Sequence, residues 1–395
     1  MTMRVALVTQ FFPPETFAGA NRVAALAAAL AERFSLVVAA PAPGYPDPGA
    51  YAGHELQPAF HGAPISRIAP FTGQRRSWPG RAAAESLMAA RLARAAGRVR
   101  PRVIVASSPS MFLGPACLVA ARARRARFVW DLRDLTWEYG KEGDVIAGGV
   151  ASTALRGLAK VMWATASAAD LVVCANDGLA EIVRGRVTKT PVEVVHNGVD
   201  ASLLRLFDPS PPGAQGSPQV LYAGLLGHAQ QLEVLVEAAA LASDVRFVLA
   251  GDGPCRAELE ELVGRRGVAN VAFTGYLAPD ELARLYHSSD VLFAQVRRSE
   301  LHTVTAVPSK LFEYMAAGRP IVYAGEGAAA VLIDETGAGL TTGPGDARAI
   351  VEAIRAAAGP AGTQMGEQGR RYVEQLPTRA DEMKRFAHLV SEVAR

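Results

Sequence analysis

Two apolar patterns alternate along the chain. Short runs rich in β-branched residues are almost wholly apolar, as parallel strands covered on both faces of a sheet require, and Ala- and Leu-rich stretches with helical spacing separate them. In the first half the pattern predicts strands at 3–9, 35–40, 102–108, 127–132, 170–175 and 192–197, with a helix at 21–34. In the second half it predicts strands at 220–225, 245–253, 270–277, 290–295 and 320–325, and helices at about 230–242, 254–266, 279–287, 309–317 and 346–358.

A break in this pattern divides the chain. Residues 207–219 (FDPSPPGAQGSPQ) are rich in Pro, Gly and Ser, which predicts a linker. We therefore predict an α/β protein with two doubly wound, Rossmann-like domains at 1–206 and 220–378, which face a central cleft. An amphipathic helix at 379–395 has no strand after it, and we expect it to pack back on the first domain.

Composition and charge narrow the class of protein. Half of the 395 residues are apolar, and the net charge is +3. Residues 1–200 carry 23 Lys and Arg against 15 Asp and Glu, whereas the remainder carries 18 against 23, which predicts different partners for the two domains. No window is apolar and long enough for a membrane-spanning helix, and the chain starts without a signal-peptide pattern. Three cysteines without pairing or metal-ligand spacing favour buried thiols in the cytoplasm.

Residues that follow the predicted strands are the candidates for chemistry, because ligands bind at the carboxyl ends of parallel strands. In the first domain, TQFFPPETFAGANRV (9–23) precedes a helix and offers an anion-binding turn at Gly19. This segment has no GxGxxG fingerprint and the chain has no GxxxxGK[ST], which disfavours dinucleotide cofactors and Walker-type sites. The segment DLRDLTWEYGK (131–141) is either a functional charged loop or a buried ion-pair network. His196, in HNGVD, is interpreted as structural.

In the second domain, glycines again follow the strands. AGLLGHAQQLE (223–233) places Gly224 and Gly227 before His228, Gln230 and Gln231, which lie close to the start of the next helix. GDGP (251–254) has the same layout, with Gly251 and Gly253 before a proline in the first turn of a helix.

The stretch VPSKLFEYMAAGRPIV (307–322) predicts a short helix with the features of a ligand-binding site. Ser309 is the predicted N-cap, the helix runs from about Lys310 to Ala317, and Gly318 ends it. The free N–H groups and the partial positive charge of the helix N-terminus, with Lys310 beside them, suit a diphosphate. Glu313, one turn further on, is an acceptor-only carboxylate suited to the vicinal hydroxyls of a ribose. Together these features predict a nucleotide site.

With these residues, the chain resembles the retaining nucleotide-sugar transferases of glycosyltransferase family 4 (group 1), which have the GT-B fold. The segments that carry the resemblance run in the family's order over nearly the whole chain: FFPPETFAGANR, DLRDLTWE, AADLVVCANDGL, VVHNGVD, AGDGP, FTGYLAPDELARLYHSSDVL, VPSKLFEYMAAGRPIV and GAGLTTGPGD. The most similar branch acts on hexosamine donors in cell-surface polysaccharide assembly.

The resemblance implies roles for individual residues. Glu313 matches the family's ribose-binding glutamate, Ser309 and Lys310 would lie against the distal phosphate and the donor sugar, and the loops at 251–253 and 275–277 would hold the base. The full set of expected donor-binding residues is Gly19, Gly224, His228, Gln230, Gly251, Gly253, Leu277, Ser309, Lys310 and Glu313. Catalytic roles are expected for Asp131, Arg133 and Asp134, and acceptor binding for Glu15, Asn21, Arg22 and Glu138.

Three departures from the family pattern bear on the donor sugar and the catalytic details. Thr305 stands where the family often has a first glutamate, eight residues before Glu313. The Arg and Lys that commonly clamp the diphosphate are absent from the segment with His228, Gln230 and Gln231. The histidine common at the end of a first-domain strand has no clear match, and DLRD stands in about that place.

The expected reaction is transfer of a hexose or N-acetylhexosamine from a nucleotide-diphosphate sugar, UDP-linked, to an acceptor hydroxyl with retention. We expect no obligatory metal and no further cofactor. The acceptor is a soluble molecule or a lipid-linked glycan. Residues 75–102 hold eight arginines and one glutamate, and are either a surface for anionic headgroups at the inner membrane face or an ordinary solvated helix face. No nucleic-acid module is recognised. Two alternatives remain open, a non-catalytic partner subunit with this fold and a UDP-sugar epimerase.

Overall fold

The structure is a computed structural model that describes residues 3–15, 18–44, 48–51, 53, 55–69, 78–139, 149–200, 204, 216–297 and 307–395. The chain forms two compact units. Unit 1 comprises Met1–Gly198 and Arg379–Arg395, and unit 2 comprises Val199–Thr378. The predicted linker at 207–219 falls mostly outside the described residues, and the first unit ends eight residues before the boundary predicted at 206.

Unit 1 is built on an eight-stranded sheet with the order β3-β4-β2-β1-β5-β6-β7-β8. Its strands are β1 (Arg4–Thr9), β2 (Ser35–Pro41), β3 (Ala59–Phe60), β4 (Ala63–Ile68), β5 (Val103–Ser107), β6 (Arg127–Leu132), β7 (Leu171–Cys174) and β8 (Val192–Val194). Its helices are α1 (Ala18–Ala31), α2 (Trp78–Arg98), α3 (Leu113–Arg124), α4 (Thr136–Tyr139), α5 (Gly149–Ala168), α6 (Asp177–Arg186) and the last helix of the chain.

The central strands of unit 1 confirm the prediction from apolar runs. Every residue of β5 is buried, and so is all of β1 after Arg4. The pairs β1–β2, β1–β5 and β5–β6 are parallel, so the carboxyl ends of these strands share one edge of the sheet. The hairpin of β3 and β4 was not predicted. Its strands are half-exposed at the edge of the sheet and lack an apolar run.

The last helix of the chain, α14 (Arg379–Ala394), packs on unit 1. Its apolar side chains Met383, Phe386 and Val390 lie in the same buried cluster as Leu26 and Leu30 of α1. The amphipathic pattern read at 379–395 therefore marks a face that this core buries.

Unit 2 is built on a six-stranded parallel sheet with the order β11-β10-β9-β12-β13-β14. Its strands are β9 (Gln219–Ala223), β10 (Arg246–Ala250), β11 (Val271–Gly275), β12 (Val291–Gln295), β13 (Ile321–Ala324) and β14 (Gly339–Thr342). Its helices are α7 (Glu233–Leu241), α8 (Arg256–Arg266), α9 (Pro279–Ser288), α10 (Ser309–Ala316), α11 (Ala328–Thr336), α12 (Ala347–Ala357) and α13 (Ala361–Glu374).

Among the helices and strands of unit 2, α11, α13 and β14 were not predicted. β14 has the sequence GLTT, is half-buried and occupies the end of the sheet, so its pattern is not that of a buried strand. Both sheets have the doubly wound, Rossmann-like arrangement that the sequence predicts. No described helix is long and apolar enough to span a membrane.

Candidate functional site

Three glycine turns at the carboxyl ends of β9, β10 and β11 form the base of the candidate site in unit 2. Gly224, Gly251 and Gly275 have positive φ angles of 141°, 130° and 70°. The Gly224 N–H donates to Ala250 O at 2.8 Å, and the Gly251 N–H donates to Gly275 O at 2.9 Å. A Cβ at Gly251 would overlap the carbonyl oxygen of Gly224. These positions therefore require glycine, and the three loops lie in contact as a result.

The loop after β10 packs equally closely. A Cβ at Gly253 would overlap the carbonyl oxygen of Leu226, which accepts a hydrogen bond from the Cys255 N–H at 3.0 Å. The next loop follows Gly275 and includes the half-buried Leu277. Both loops were expected to hold the base.

Two side chains beside these loops were not predicted. The guanidinium of Arg256 donates to Asp252 at 3.0 Å and to Glu260 at 2.8 Å, and it lies next to Gly275. Tyr276 is 63% exposed. Tyr276 lies in the loop at 275–277 that was expected to hold the base, but the residue itself was not named, and Arg256 was not named because it lies in neither an apolar run nor a glycine turn.

The helix α10 begins as the sequence predicts, with one correction. Ser309 is its first residue rather than its N-cap, and Pro308 at the cap position has no side-chain acceptor. The helix N-terminus is therefore left without a side-chain cap, and its partial positive charge stays available to an anion. Gly318 ends the helix with a φ of 67°.

Lys310 is the most unusual ionisable group of unit 2. Its Nζ atom is buried and has no hydrogen-bond partner among the described residues. It lies 3.8 Å from the centroid of the Tyr222 ring, and a Cβ at Gly224 would lie 2.8 Å from it. Burial lowers the pKa of Lys310 to about 7, although the nearby Glu313 acts in the opposite direction. An ammonium group in this place lacks a hydrogen-bond acceptor among the described residues.

Two buried tyrosines hold the lysine in place. The Tyr222 hydroxyl donates to Leu225 O at 2.7 Å, which fixes the ring under Lys310. The Tyr314 hydroxyl accepts from the Ala223 N–H at 3.0 Å and thereby joins α10 to the end of β9. Burial is the main cause that raises the pKa values of both phenols, so both stay neutral.

Glu313 lies one turn beyond Lys310 and is half-buried. The hydroxyl of the fully buried Tyr286 lies 3.5 Å from Glu313 Oε2, a long hydrogen bond that orients the carboxylate from α9. Burial, and next the charge of Glu313, raise the pKa of Tyr286 well above its usual value, so this hydroxyl keeps its proton. The structure thus places Glu313 and Lys310 on one helix, at the edge where the glycine turns meet.

His228 and Gln230 form the 3₁₀ turn His228–Gln230 after β9. His228 Nδ1 lies 3.2 Å from Cys255 Sγ, so one side of its ring is already in contact with the protein. Within the described ranges, Gln230 Oε1 and Gln295 Oε1 are buried without a partner, while Gln295 Nε2 donates to Gln231 O at 3.1 Å. Gln295 was not predicted. Its signal was a lone amide at the end of the apolar run VLFAQ.

A buried ion pair dominates the corresponding edge of unit 1. Arg22 and Asp131 are 1% and 0% exposed, and their closest atoms are 2.9 Å apart. Asp131 also accepts from Ser107 Oγ at 2.7 Å, and Arg22 donates to His196 O and to Asn197 Oδ1. Both carboxylate oxygens of Asp131 are thus bonded to neighbours in unit 1, whereas the buried Nε of Arg22 has no partner among the described residues. The roles expected for the two residues stay predictions.

Arg133 and Asp134 differ from that pair. The Arg133 guanidinium approaches Gly19 O and Ser108 O at 3.4 Å, and burial is the largest cause that lowers its pKa. Asp134 is half-buried, and no hydrogen bond or ion pair of its carboxylate appears in the described part of unit 1. Asp134 is thus the carboxylate of the DLRD loop that stays available to a ligand.

The remaining predicted residues of unit 1 are held by the protein or lie near these groups. Glu15 is 3% exposed and accepts from the N–H groups of Phe12 and Gly44, so it joins two loops. Glu138 accepts from Trp163 Nε1 at 2.9 Å. Gly19 and the half-buried Asn21 lie in the first turn of α1. Thr305, where the family often has a glutamate, lies outside the described residues.

Two family models match the chain. Residues 19–203 match "Glycosyltransferase Family 4", and residues 217–359 match "Glycosyl transferases group 1". The two models fall on unit 1 and unit 2, and together they cover most of the sequence. The chain therefore consists of a glycosyltransferase family 4 domain followed by a glycosyl transferases group 1 domain.

Curated relatives match over parts of their length. Alpha-D-kanosaminyltransferase of Streptomyces kanamyceticus is 33% identical over 115 residues, which is 28% of each chain. Sulfoquinovosyl transferase SQD2 of Arabidopsis thaliana is 30% identical over 218 residues, which is 50% of this chain and 40% of the relative. The chain thus spans less than half the length of the curated relatives that it matches.

Solved structures match over the whole length. Anabaena Alr3699/HepE in complex with UDP and glucose superposes with a TM-score of 0.70, 17% identity and coverage of 98% of this chain and 99% of that one. Sucrose-phosphate synthase from Thermosynechococcus elongatus gives a TM-score of 0.70 at 19% identity, with 99% of each chain covered. At these identities the matches establish the fold, which is that of the GT-B glycosyltransferases.

The buried pair of unit 1 gives the first prediction. Arg22→Met and Asp131→Asn should each lower the free energy of unfolding by about 3–5 kcal/mol, because each leaves a buried partner unpaired. The double variant should lose less than the sum of the single losses. All four tryptophans, at positions 78, 130, 137 and 163, belong to unit 1, so tryptophan fluorescence during urea unfolding reports on this unit.

The matched control is Arg127→Met, which removes a half-exposed partner of Asp170. Its expected effect is below about 1 kcal/mol. Additive losses in the double variant would contradict a coupled pair.

Lys310 gives the second prediction. The folded protein holds the pKa of Lys310 at about 7, below the usual pKa of about 10.4 in an unfolded chain. Between these values Lys310 binds more protons in the unfolded state, so its own contribution to stability should rise with pH. Lys310→Met should therefore raise the melting temperature at about pH 7, and its advantage should shrink toward about pH 10.

Differential scanning calorimetry across this range tests the prediction, with the exposed Lys384→Met as the control. A constant difference between Lys310→Met and wild type at all pH values would show that the lysine has an ordinary pKa.

Proposed function

We propose that this chain is a retaining glycosyltransferase that binds a UDP-linked hexose or N-acetylhexosamine in unit 2 and transfers the sugar to an acceptor hydroxyl. One observation carries the proposal. The buried Lys310 ammonium has no hydrogen-bond partner in the described part of unit 2, and it lies at the uncapped N-terminus of α10 beside three glycine turns. A diphosphate places negative charge beside that ammonium and accepts hydrogen bonds from it and from the free N–H groups of the helix.

The other donor contacts follow from this placement. Glu313, oriented by Tyr286, accepts hydrogen bonds from the ribose hydroxyls. The loops at Gly251–Gly253 and Gly275–Leu277 hold the base. HepE, a structural neighbour with the same fold, was solved with UDP and glucose, which supports the choice of UDP.

The proposed reaction relies on positive charge that is in place before the bond between the sugar and the diphosphate breaks. When the bond between the sugar and the diphosphate breaks, negative charge builds on the leaving oxygen. Lys310 and the dipole of α10 stabilise that charge, and His228 donates from the ring nitrogen that does not face Cys255. In unit 1, the available carboxylate of Asp134 orients the acceptor hydroxyl, while the buried pair of Arg22 and Asp131 fixes the loop that carries it.

A donor panel tests this proposal. UDP-, GDP- and dTDP-sugars are added to the protein and thermal stabilisation is measured. A donor at 100 times its dissociation constant should stabilise the wild type by about 2.7 kcal/mol. Glu313→Gln should weaken the binding of that donor by about tenfold or more, because a charged acceptor of the ribose hydroxyls is lost.

The control is Glu352→Gln on α12, an exposed carboxylate whose loss should leave donor affinity unchanged. Absence of stabilisation by every donor would contradict the proposal and favour the partner-subunit alternative. Epimerisation of the sugar without an acceptor would favour the epimerase.

We further propose that the acceptor side works at an anionic lipid surface. Arg91, Arg94 and Arg98 are exposed along one stripe of α2, with Leu87, 53% exposed, one turn before them. No acidic side chain among the described residues pairs with these three arginines. Positive charge combined with an exposed leucine suits the headgroup region of an anionic bilayer.

Vesicle sedimentation tests this surface. The wild-type protein should bind vesicles that contain phosphatidylserine and should release them as the salt concentration is raised. Replacing Arg91, Arg94 and Arg98 by Gln should weaken binding on the order of 100-fold, because each basic residue near the surface contributes about 1 kcal/mol. Replacing Arg265, Arg266 and Arg355 by Gln removes the same charge from unit 2 and serves as the control. Equal losses in both triple variants would indicate only a net-charge effect.

A further inference from the structure

A histidine, a cysteine and a glutamate converge in unit 2. His228 lies on the 3₁₀ turn after β9, Cys255 occupies the N-cap position of α8, and Glu258 lies in the first turn of that helix. One ligand atom from each lies within 4.8 Å of the others, and His228 Nδ1 is 3.2 Å from Cys255 Sγ. The packing of the glycine loop after β10 against Leu226 brings these segments together.

The chemistry of this group is that of a soft cation site. Thiolate, imidazole and carboxylate are the three ligand types that bind zinc, at about 2.3, 2.0 and 2.1 Å. In a tetrahedral site, neighbouring sulfur and nitrogen ligands then lie about 3.6 Å apart. The observed 3.2 Å between Sγ and Nδ1 is near that value, and Glu258 is exposed and has room to turn toward the pair. A water molecule completes a site with three protein ligands.

The surroundings also favour a cation. Glu258 and Glu233 both lie close enough to the Cys255 sulfur to act on it electrostatically. Cys255 is 2% exposed, so the sulfur is reached from the side of the exposed His228. Cys117 and Cys174, which are buried in unit 1, belong to no such group of possible ligands among the described residues.

We propose that His228, Cys255 and Glu258 bind a borderline-soft divalent cation such as Zn²⁺. The thiol proton leaves to solvent when the metal binds, and Nδ1 of His228 becomes a ligand.

Metal binding is measured first, on protein without a histidine tag and without any donor. Co²⁺ serves as the spectroscopic probe, because a cobalt–thiolate bond gives a charge-transfer absorption that imidazole and carboxylate ligands lack. Titration should give this band at one metal per chain. Zn²⁺ should displace Co²⁺, since sites of this kind bind zinc more tightly than cobalt.

Three variants test the ligands. Cys255→Ser should abolish the charge-transfer band, and His228→Asn and Glu258→Gln should each weaken Zn²⁺ binding by about tenfold or more in calorimetric titration. Glu261→Gln, an exposed carboxylate one turn further along α8, is the matched control and should bind as the wild type does. Melting curves of the metal-free variants check that each one folds. Because Glu258 is exposed, its variant tests the site even if Cys255→Ser fails to fold.

The outcomes separate this proposal from the proposed function. A band that persists in Cys255→Ser, or Zn²⁺ binding unchanged in Glu258→Gln, would overturn the metal site. Neither measurement uses a donor, so a donor panel in which nothing binds would contradict the proposed function and leave the metal site to be decided by the cobalt titration.

Discussion

The organisation of unit 2 depends on one buried charge, the ammonium of Lys310 over the ring of Tyr222. A desolvated ammonium without a hydrogen-bond partner is unfavourable, and the lowered pKa of about 7 expresses that penalty. The structure keeps the lysine there nonetheless, since Tyr222 and Tyr314 are tied to the end of β9 and Gly224 leaves room for the side chain. Such strain is expected where a ligand completes the site.

In unit 1, by contrast, two buried charges are paired with each other. Asp131 and Arg22 meet each other, and Ser107 and the backbone of His196 take up further hydrogen-bonding capacity. A hydrogen-bonded network of this kind stiffens the edge of a sheet. The bonded pair thus fixes the start of the DLRD loop, while Asp134 on the same loop has no hydrogen bond or ion pair in the described part of unit 1.

Sequence patterns predicted the parts of this protein that depend on local information. Apolar runs located the central strands, and glycines after them marked the turns at Gly224 and Gly251, since only glycine fits those backbone angles. Edge strands such as β14 were missed because half-buried strands lack an apolar run. The sequence also could not predict that Asp131 is buried in an ion pair. Its partner Arg22 lies 109 residues away, and the burial depends on that pairing. In the sequence, a charged residue that follows a strand looks the same whether its side chain is hydrogen-bonded within the protein or available to a ligand.

The proposed donor site lacks the arginine and lysine that the family resemblance leads one to expect around the diphosphate. The segment from Gly224 to Leu232 contains a histidine and two glutamines but no lysine or arginine. If a diphosphate binds there, Lys310 and the dipole of α10 lie close to it, and Arg297, whose N–H donates to Ala229 O at 2.7 Å, adjoins the same segment. Binding then restores the charge of a lysine that is half-neutral near pH 7, so a proton enters together with the donor. The amides of Gln230 and Gln295, whose oxygens are buried without partners in the described part of the unit, can orient the ligand but cannot neutralise it.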